Sequence, residues 1–289
     1  MASVGELQRE ARRRLAEAGV ETAALDARLI VQHELGISHE ALIADPGLPV
    51  DQAGCDAIDA SLARRLEHEP VSRIIGEREF FGRTFKVTPD VLDPRPDTET
   101  LIEHVLEIAR LKAAPGEQLR IADIGTGSGA IITTLLAELE SACGTAVDVS
   151  RAALDVARSN ALAIGVVDRL EFVETSWLDG LSGPYDVIVS NPPYIEANTI
   201  SSLPPEVARF DPVLALDGGV DGLMAYRAII PQAFERLEPG GYLCLEIGAG
   251  QAKIVLDLLA ECGFADGGPV PALRQDLAGH DRVVTGQKP

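Results

Sequence analysis

Apolar residues in the first quarter of the chain recur every three or four positions, the spacing of one face of an α-helix. This pattern occupies segment 7–18 and returns in 25–33 and 58–66. Helix-breaking residues divide these segments: Gly19, Gly36 and Asp45-Pro46-Gly47. We therefore predict that residues 1–76 form a small helical domain of three or four short helices.

A different pattern follows at 77–96. Phe80, Phe81 and Phe85 flank Gly82-Arg83, which predicts a β-hairpin with its turn at the glycine. Three prolines then stiffen the chain and end regular strand pairing: Pro89, Pro94 and Pro96. We predict that this stretch connects two domains.

From residue 97 onward, short apolar runs alternate with helical patterns. The runs with the length and composition of strands are Leu119–Ile124, Thr145–Val149, Leu170–Glu174, Asp186–Ser190, Tyr242–Ile247 and Arg282–Thr285. Helical patterns occupy 130–140, 151–164, 223–237 and 251–262. The alternation predicts an α/β domain at 97–289 with a doubly wound sheet, which binds ligands at the carboxyl ends of its strands.

Composition narrows the class of protein. Of 289 residues, 46% are apolar and 24% are charged, which excludes a disordered chain. No apolar run approaches the about 18 residues that a membrane helix needs, and residues 1–14 lack the apolar segment of a signal peptide. The four cysteines have no C-x-x-C spacing and no histidine at a ligand offset. We expect reduced thiols, no metal, no membrane association and a cytoplasmic location.

The charge balance bears on possible partners. The chain has 25 basic and 45 acidic side chains, a net charge of −20. An acidic protein repels phosphate backbones, so stable nucleic-acid binding is not expected.

A glycine-rich loop joins the first predicted strand of the α/β domain to a helix. The glycines of this loop permit a tight turn and close approach of a ligand, and the following helix presents free N–H groups. Asp148 ends the next strand, where an acidic residue typically binds a ribose diol. The G-x-G-x-G spacing favours S-adenosylmethionine, although Gly125-x-Gly127-x-x-Ala130 also fits a loosened NAD fingerprint. The candidate cofactor-binding residues are Asp123, Gly125, Thr126, Gly127, Ser128, Gly129 and Asp148.

A second motif, Asn191-Pro192-Pro193-Tyr194, follows the fourth strand of this domain. It suits methylation of a planar –NH2 group, whose two N–H donors need two acceptors in fixed directions. The Asn191 side-chain oxygen and the Pro192 carbonyl can supply them, and the prolines restrict the backbone that presents that carbonyl. Tyr194 can lie against the substrate plane and exclude water.

Together these motifs resemble the bacterial peptide-chain release factor glutamine methyltransferases of the PrmC/HemK type, over nearly the whole chain. The most specific pairing joins Pro94-Arg95-Pro96-Asp97-Thr98-Glu99 to Asn191–Tyr194, because nucleic-acid amino-methyltransferases share the second motif but generally not the first. The resemblance implies that the helical domain helps to grip a class I release factor. It also implies a Rossmann-like, seven-stranded class I methyltransferase domain.

The resemblance further implies a reaction and roles for residues. S-adenosylmethionine would methylate the side-chain N5 of the glutamine in the release factor's Gly-Gly-Gln loop, leaving S-adenosylhomocysteine. Trp177 and Asn191 join the cofactor-binding set. Asn191, Pro192 and Tyr194 are the implied catalytic residues, and Asn191–Tyr194 with Arg95 the implied substrate-binding ones. The chain departs from the family pattern at Asp93, which could pair with Arg95, and at His280, which is expected at the surface.

Two other functions fit parts of the sequence. An N6-adenine or N4-cytosine nucleic-acid methyltransferase uses the same Asn-Pro-Pro-Tyr geometry, but it must flip a base and grip a backbone. The net charge of −20 does not suit that task. A non-catalytic cofactor-binding protein is the other alternative, and the intact Asn191 disfavours it.

Overall fold

The computed structural model describes residues 2–112 and 118–289. The chain forms two compact units. One contains the chain up to Glu77 together with Pro204–Phe210, and the other contains Arg78–Leu203 and Asp211–Pro289. The sequence did not predict that 204–210 belongs with the helical unit. None of the helices in the described ranges is both long and apolar enough to cross a lipid bilayer.

The helices are α1 (Val4–Glu17), α2 (Ala23–Leu35), α3 (His39–Ala44), α4 (Gln52–Leu66), α5 (Val71–Ile75), α6 (Glu99–Lys112), α7 (Ala130–Glu138), α8 (Arg151–Ile164), α9 (Pro205–Ala208), α10 (Met224–Arg236) and α11 (Ala252–Cys262). The strands are β1 (Glu77–Phe80), β2 (Arg83–Lys86), β3 (Arg120–Ile124), β4 (Cys143–Asp148), β5 (Leu170–Glu174), β6 (Tyr185–Ser190), β7 (Leu237–Glu246), β8 (Ala265–Asp266), β9 (Leu273–Gln275) and β10 (Asp281–Gln287).

Local sequence signals set the ends of the helices in the first unit. Ser3 and Glu6 form a capping box at the start of α1, and Asp51 caps α4 through the backbone N–H of Gly54. Gly36 caps the carboxyl end of α2 and adopts the left-handed conformation that favours glycine. The apolar faces of these helices pack into one core that includes Leu15, Ile30, Ile58 and Leu62.

A buried ion pair joins two helices of this unit. Arg65 of α4 donates to Asp26 of α2 at 2.7 Å, and both side chains are at most 4% exposed. The Nη2 atom of Arg65 donates to Glu206 of α9, also at 2.7 Å. Arg65 therefore holds the returning segment 204–210 against its own unit.

The hairpin is confirmed at the predicted position. β1 and β2 pair as a two-stranded sheet, and Gly82 occupies the left-handed region at the turn. The Phe80 and Phe85 rings meet edge to face with their centroids 6.0 Å apart. A short 3₁₀ helix, Pro96–Thr98, follows and leads into α6.

The central sheet of the second unit has the strand order β5-β4-β3-β6-β7-β10-β8, with β9 paired to β10. β5, β4, β3, β6 and β7 run parallel, while β10 is antiparallel to β7. Alternate residues face opposite sides, so Ile121 packs in one apolar core and Ala122 in the other. The first core includes residues of α6 and α7, and the second includes residues of α10 and α11. This layering places the carboxyl ends of β3, β4 and β6 at one edge.

All six predicted strands are present; β5 has the predicted ends, and the other five have shifted ends. β7 begins at Leu237 rather than Tyr242 because Pro239-Gly240-Gly241, which has turn composition, still lies within the strand. The short strands β8 and β9 were not predicted. No helix was assigned to the region of α6, although its buried residues, among them Leu101, Val105 and Ile108, have helical spacing.

Candidate active site

The glycine loop lies at the carboxyl end of β3 and leads into α7. Gly125, Gly127 and Gly129 have φ values of +72°, +54° and +76°, which other residues rarely adopt. A Cβ at Gly129 would also lie 3.0 Å from the Cβ of Ala157 in α8. The loop therefore requires glycine for its conformation and for helix packing.

Asp148 ends β4 beside this loop. Its Oδ2 accepts the backbone N–H of Gly127, and its Oδ1 accepts that of Ser150, each at 2.9 Å. Burial raises the pKa of Asp148, and hydrogen bonds from Ser150 and Gly127 oppose that rise. The carboxylate thus holds the loop and the start of α8 while it lines the cavity described below.

Asp123 occupies a different position from the other candidate cofactor residues. It is fully buried and does not line the cavity. The Thr126 hydroxyl donates to its Oδ2 at 2.7 Å, and burial raises its pKa to about 7. Asp123 therefore holds the loop through Thr126, on the side of the loop away from the cavity.

Asn160 of α8 braces the same loop. Its amide nitrogen donates to the carbonyl oxygens of Ser128 and Lys86, at 2.8 and 3.0 Å. Its amide oxygen accepts the backbone N–H of Lys86 at 2.8 Å. One buried side chain thus joins the glycine loop to β2. Sequence reasoning missed Asn160, because nothing in its local sequence distinguishes it from a surface position of α8.

A cavity of about 460 Å³ opens between the loop and the end of β6. That volume lies in the range of small-molecule sites. The candidate residues that line it are Arg95, Gly125, Thr126, Gly127, Ser128, Asp148, Trp177, Asn191 and Pro193. Gly129, Pro192 and Tyr194 are adjacent to these residues in sequence and do not line it themselves.

The end of β6 is tied to the end of β3. The Ser190 hydroxyl donates to the Ile124 carbonyl oxygen at 2.6 Å, which places Asn191 beside the glycine loop. The Asn191 Nδ2 donates to the hydroxyl oxygen of Thr98 at 3.2 Å. With its nitrogen directed at Thr98, the amide leaves Oδ1 available as an acceptor. Thr98 belongs to the Pro94–Glu99 motif, so the two most specific motifs meet in space.

Tyr194 is held through its backbone. Gln251 donates to the Tyr194 carbonyl oxygen at 3.1 Å, and Ile195 pairs with Asp217 in an isolated bridge. A Cβ at Gly218 would lie 2.9 Å from the Pro193 carbonyl oxygen. Burial raises the pKa of Tyr194 to about 12, so its hydroxyl stays protonated at neutral pH. Gln251 and Gly218 belong to distant elements, so local motifs gave no indication of these roles.

Arg95 pairs differently from the expectation. Its Nη2 donates to Asp211 at 2.5 Å, and Asp93 instead has Arg78 at 4.0 Å. The sequence allowed an Asp93–Arg95 pair, but the ion pair that the structure shows for Arg95 is with Asp211. His280 is exposed at the surface, as expected.

Comparisons with known proteins match both parts of the chain. The PrmC N-terminal domain family matches residues 6–76, and the methyltransferase small domain family matches 97–203.

Full-length relatives and solved structures are also similar to the chain. A Bradyrhizobium diazoefficiens protein named release factor glutamine methyltransferase is 46% identical, covering 99% of this chain and 95% of its own length. A Cereibacter sphaeroides protein with the same name is 45% identical, and the match covers 96% of this chain and 95% of that protein. Among solved structures, the hMettl16 catalytic domain in complex with an RNA hairpin aligns with a TM-score of 0.55 at 19% identity, covering 78% of this chain and 81% of that one. This structural likeness supports the class I methyltransferase fold alone.

Proposed function

This chain belongs to the release factor glutamine methyltransferase family, and we propose that it methylates a glutamine side chain of class I peptide chain release factors. The proposed acceptor is N5 of the glutamine in the Gly-Gly-Gln loop, with S-adenosylmethionine as cofactor. The observation that carries the proposal is the position of Asn191, which lines the same cavity as the glycine loop with its amide nitrogen directed at Thr98.

The chemistry of the cavity fits S-adenosylmethionine. It contains a left-handed glycine loop, an acidic residue at the end of β4 and the aromatic ring of Trp177. We propose that Gly125–Gly129 and Asp148 hold the amino-acid and ribose parts, and that Trp177 contacts the adenine. When bound, this cofactor supplies an electrophilic sulfonium methyl group.

Asn191, Pro192 and Tyr194 are the proposed catalytic residues. The Asn191 oxygen and the Pro192 carbonyl would each accept one N–H of the glutamine amide. Pro192 is buried, and the Ser190–Ile124 hydrogen bond fixes the strand end before it. As the amide nitrogen gains positive charge during methyl transfer, both acceptors bind its N–H groups more strongly, which stabilises the transition state selectively.

Pro193, Tyr194 and Arg95 are the proposed framing residues for the glutamine. Tyr194 packs at the edge of the second apolar core, and Gln251 anchors its backbone. Arg95 lines the cavity and is oriented by Asp211. The helical domain at 1–76 would grip the body of the release factor, and the hairpin connector at 77–96 would join it to the methyltransferase domain at 97–289.

The main alternative, an adenine or cytosine methyltransferase, is not favoured. A Gly-Gly-Gln loop can enter a pocket without base flipping or a phosphate grip, whereas nucleic-acid enzymes owe much of their affinity to phosphate contacts. The net charge of −20 opposes such contacts. We accordingly propose no stable nucleic-acid binding. We also propose that the reaction uses no metal and that the protein is cytoplasmic.

The test is methyl transfer from labelled S-adenosylmethionine to purified release factor, with tRNA and duplex DNA at matched concentration. We expect one added methyl group on the loop glutamine by peptide mass spectrometry, and none when that glutamine is replaced by alanine. Label in nucleic acid with an unmodified glutamine would reverse the choice of substrate.

A further inference from the structure

A second buried carboxyl group lies behind Asn191. Glu246 ends β7, which runs parallel to β6 with Ser190 opposite Leu245. The residues after that pair, Asn191 and Glu246, therefore sit at neighbouring strand ends. Glu246 is 1% exposed, and its Oε2 has no hydrogen-bond partner within the described part of the chain. A buried carboxyl oxygen without a partner is costly and requires an explanation.

The groups around this carboxyl are identifiable. Thr98 and Asn191 neighbour this carboxyl and lower its pKa, and Arg282 of β10 and Asp97 of the 3₁₀ helix contribute opposite charges. Tyr194 and Tyr226 also lie within electrostatic range. The Tyr226 hydroxyl bonds the Glu246 backbone oxygen rather than the side chain.

The chemistry of these groups selects one orientation of the Asn191 amide. An asparagine amide has two N–H donors on one atom and an acceptor on the other, and turning it over exchanges them. Thr98 accepts from Nδ2, but a hydroxyl can also donate and so tolerates either orientation. An ionised carboxylate only accepts. Directing Oδ1 at Glu246 would place two acceptors against each other in a buried site.

We propose that Glu246 is a positioning residue that, together with Thr98, directs the amide nitrogen of Asn191 away from the cavity and so presents Oδ1 to the substrate amide. The proposal rests on the proposed function. It assigns Glu246 a role through Asn191 and no contact with the substrate.

The charge state of Glu246 gives the proposal a measurable signature. Burial raises its pKa to about 7, opposed by Thr98, Arg282 and Asn191. When the carboxyl is protonated it becomes a donor as well as an acceptor, and it no longer enforces one amide orientation. The preference of the Asn191 amide for one orientation should therefore weaken as pH falls through about 7.

The kinetic test uses Glu246→Gln, which keeps the side-chain volume but can donate and accept, with release factor as substrate. We expect kcat to fall about tenfold, as for a misoriented catalytic group, with unchanged KM for release factor and unchanged Kd for cofactor. Thr98→Val should lower kcat similarly, and Thr98→Ser should restore it. In an Asn191→Ala background, Glu246→Gln should cause no further loss. Full kcat in Glu246→Gln, or an equal loss in the Asn191→Ala background, would overturn the proposal.

A second readout does not depend on turnover. The chain has three asparagines, Asn160, Asn191 and Asn198, so selective ¹⁵N labelling gives three side-chain amide signals, assigned by substitution. We expect the Asn191 signal to titrate near pH 7 in the wild type and to lose that titration in Glu246→Gln. An Asn191 signal that titrates identically in both proteins rejects the positioning role. A wild type that never methylates release factor rejects the proposed function alone.

Discussion

The Oδ2 atom of Asp148 accepts a 2.9 Å hydrogen bond from the backbone N–H of Gly127. The acidic residue proposed to bind the cofactor's ribose therefore also fixes the middle of the loop proposed to bind its amino-acid part. Loss of this carboxylate removes a ligand contact and releases the loop at the same time.

We therefore predict that Asp148→Ala weakens S-adenosylmethionine binding by roughly 1.5–3 kcal/mol, the range for hydrogen bonds to a charged group. Asp148→Asn should lose less, because its oxygen can still accept from Gly127. Calorimetry on both variants measures the difference, with NAD as the control ligand. Tight NAD binding by the wild type would contradict the cofactor assignment.

Asn191→Ala should lower kcat by about 10² or more, because it removes an acceptor that acts in the transition state. Binding of release factor should largely survive, because the helical domain proposed to hold its body is unchanged. Single-turnover methyl transfer separates the rate of the chemical step from binding. The matched control is Asn198→Ala, in the exposed loop that follows Tyr194. Near-normal kcat in Asn191→Ala would remove the proposed role.

Gly218→Ala should displace the segment Pro193-Tyr194 and reduce turnover. A Cβ there would lie 2.8 Å from the Gly222 Cα and 2.9 Å from the Pro193 carbonyl oxygen, and such overpacking costs about 1–3 kcal/mol. Gly47→Ala is the control, because its Cβ would meet no atom closer than 3.4 Å. The melting temperature and kcat should both fall in Gly218→Ala and stay unchanged in Gly47→Ala. A Gly218→Ala protein with the same melting temperature and kcat as Gly47→Ala would contradict the prediction.

The raised pKa of Asp123 predicts a pH dependence of stability. Burial raises the folded-state pKa to about 7, above the unfolded value of about 3.9. Between these values the folded state holds a proton that the unfolded state has lost, so stability falls as pH rises from about 4 to about 7. The slope is at most about 1.4 kcal/mol per pH unit.

Asp123→Asn removes this titration and keeps an oxygen for Thr126. Urea unfolding of both proteins at several pH values measures the effect. The stability of the variant relative to the wild type should grow as pH rises through that window and level off above it. A difference that is constant with pH would show that Asp123 does not titrate there.

The two partners of Arg65 should differ in their contribution to stability. Arg65→Met leaves the buried Asp26 without its cation and should destabilise the chain by about 3–5 kcal/mol. Glu206 is 43% exposed, so Glu206→Gln should cost only about 0–1 kcal/mol. Chemical denaturation compares the two variants. Equal losses would mean that the burial of Asp26 does not set the energy of this cluster.

The sequence by itself determined most of the elements, α6, β8 and β9 excepted, and the chemistry that lies within one motif. Helical spacing, the hairpin glycine and the strand–loop–helix around Gly125–Gly129 are local, because a few neighbouring residues set their backbone conformation. The position of Asn191 at a strand end also followed, since Ser190 closes an apolar run.

Only the tertiary structure decided which residues support those motifs. Thr98, Asn160, Gln251 and Glu246 reach the site from a 3₁₀ helix, α8, the residue before α11 and the end of β7, and no spacing in the chain shows their contacts. The structure likewise paired Arg95 with Asp211 rather than Asp93. Hydrogen bonds between side chains distant in sequence depend on how sheet and helices pack, and strand order and register set that packing.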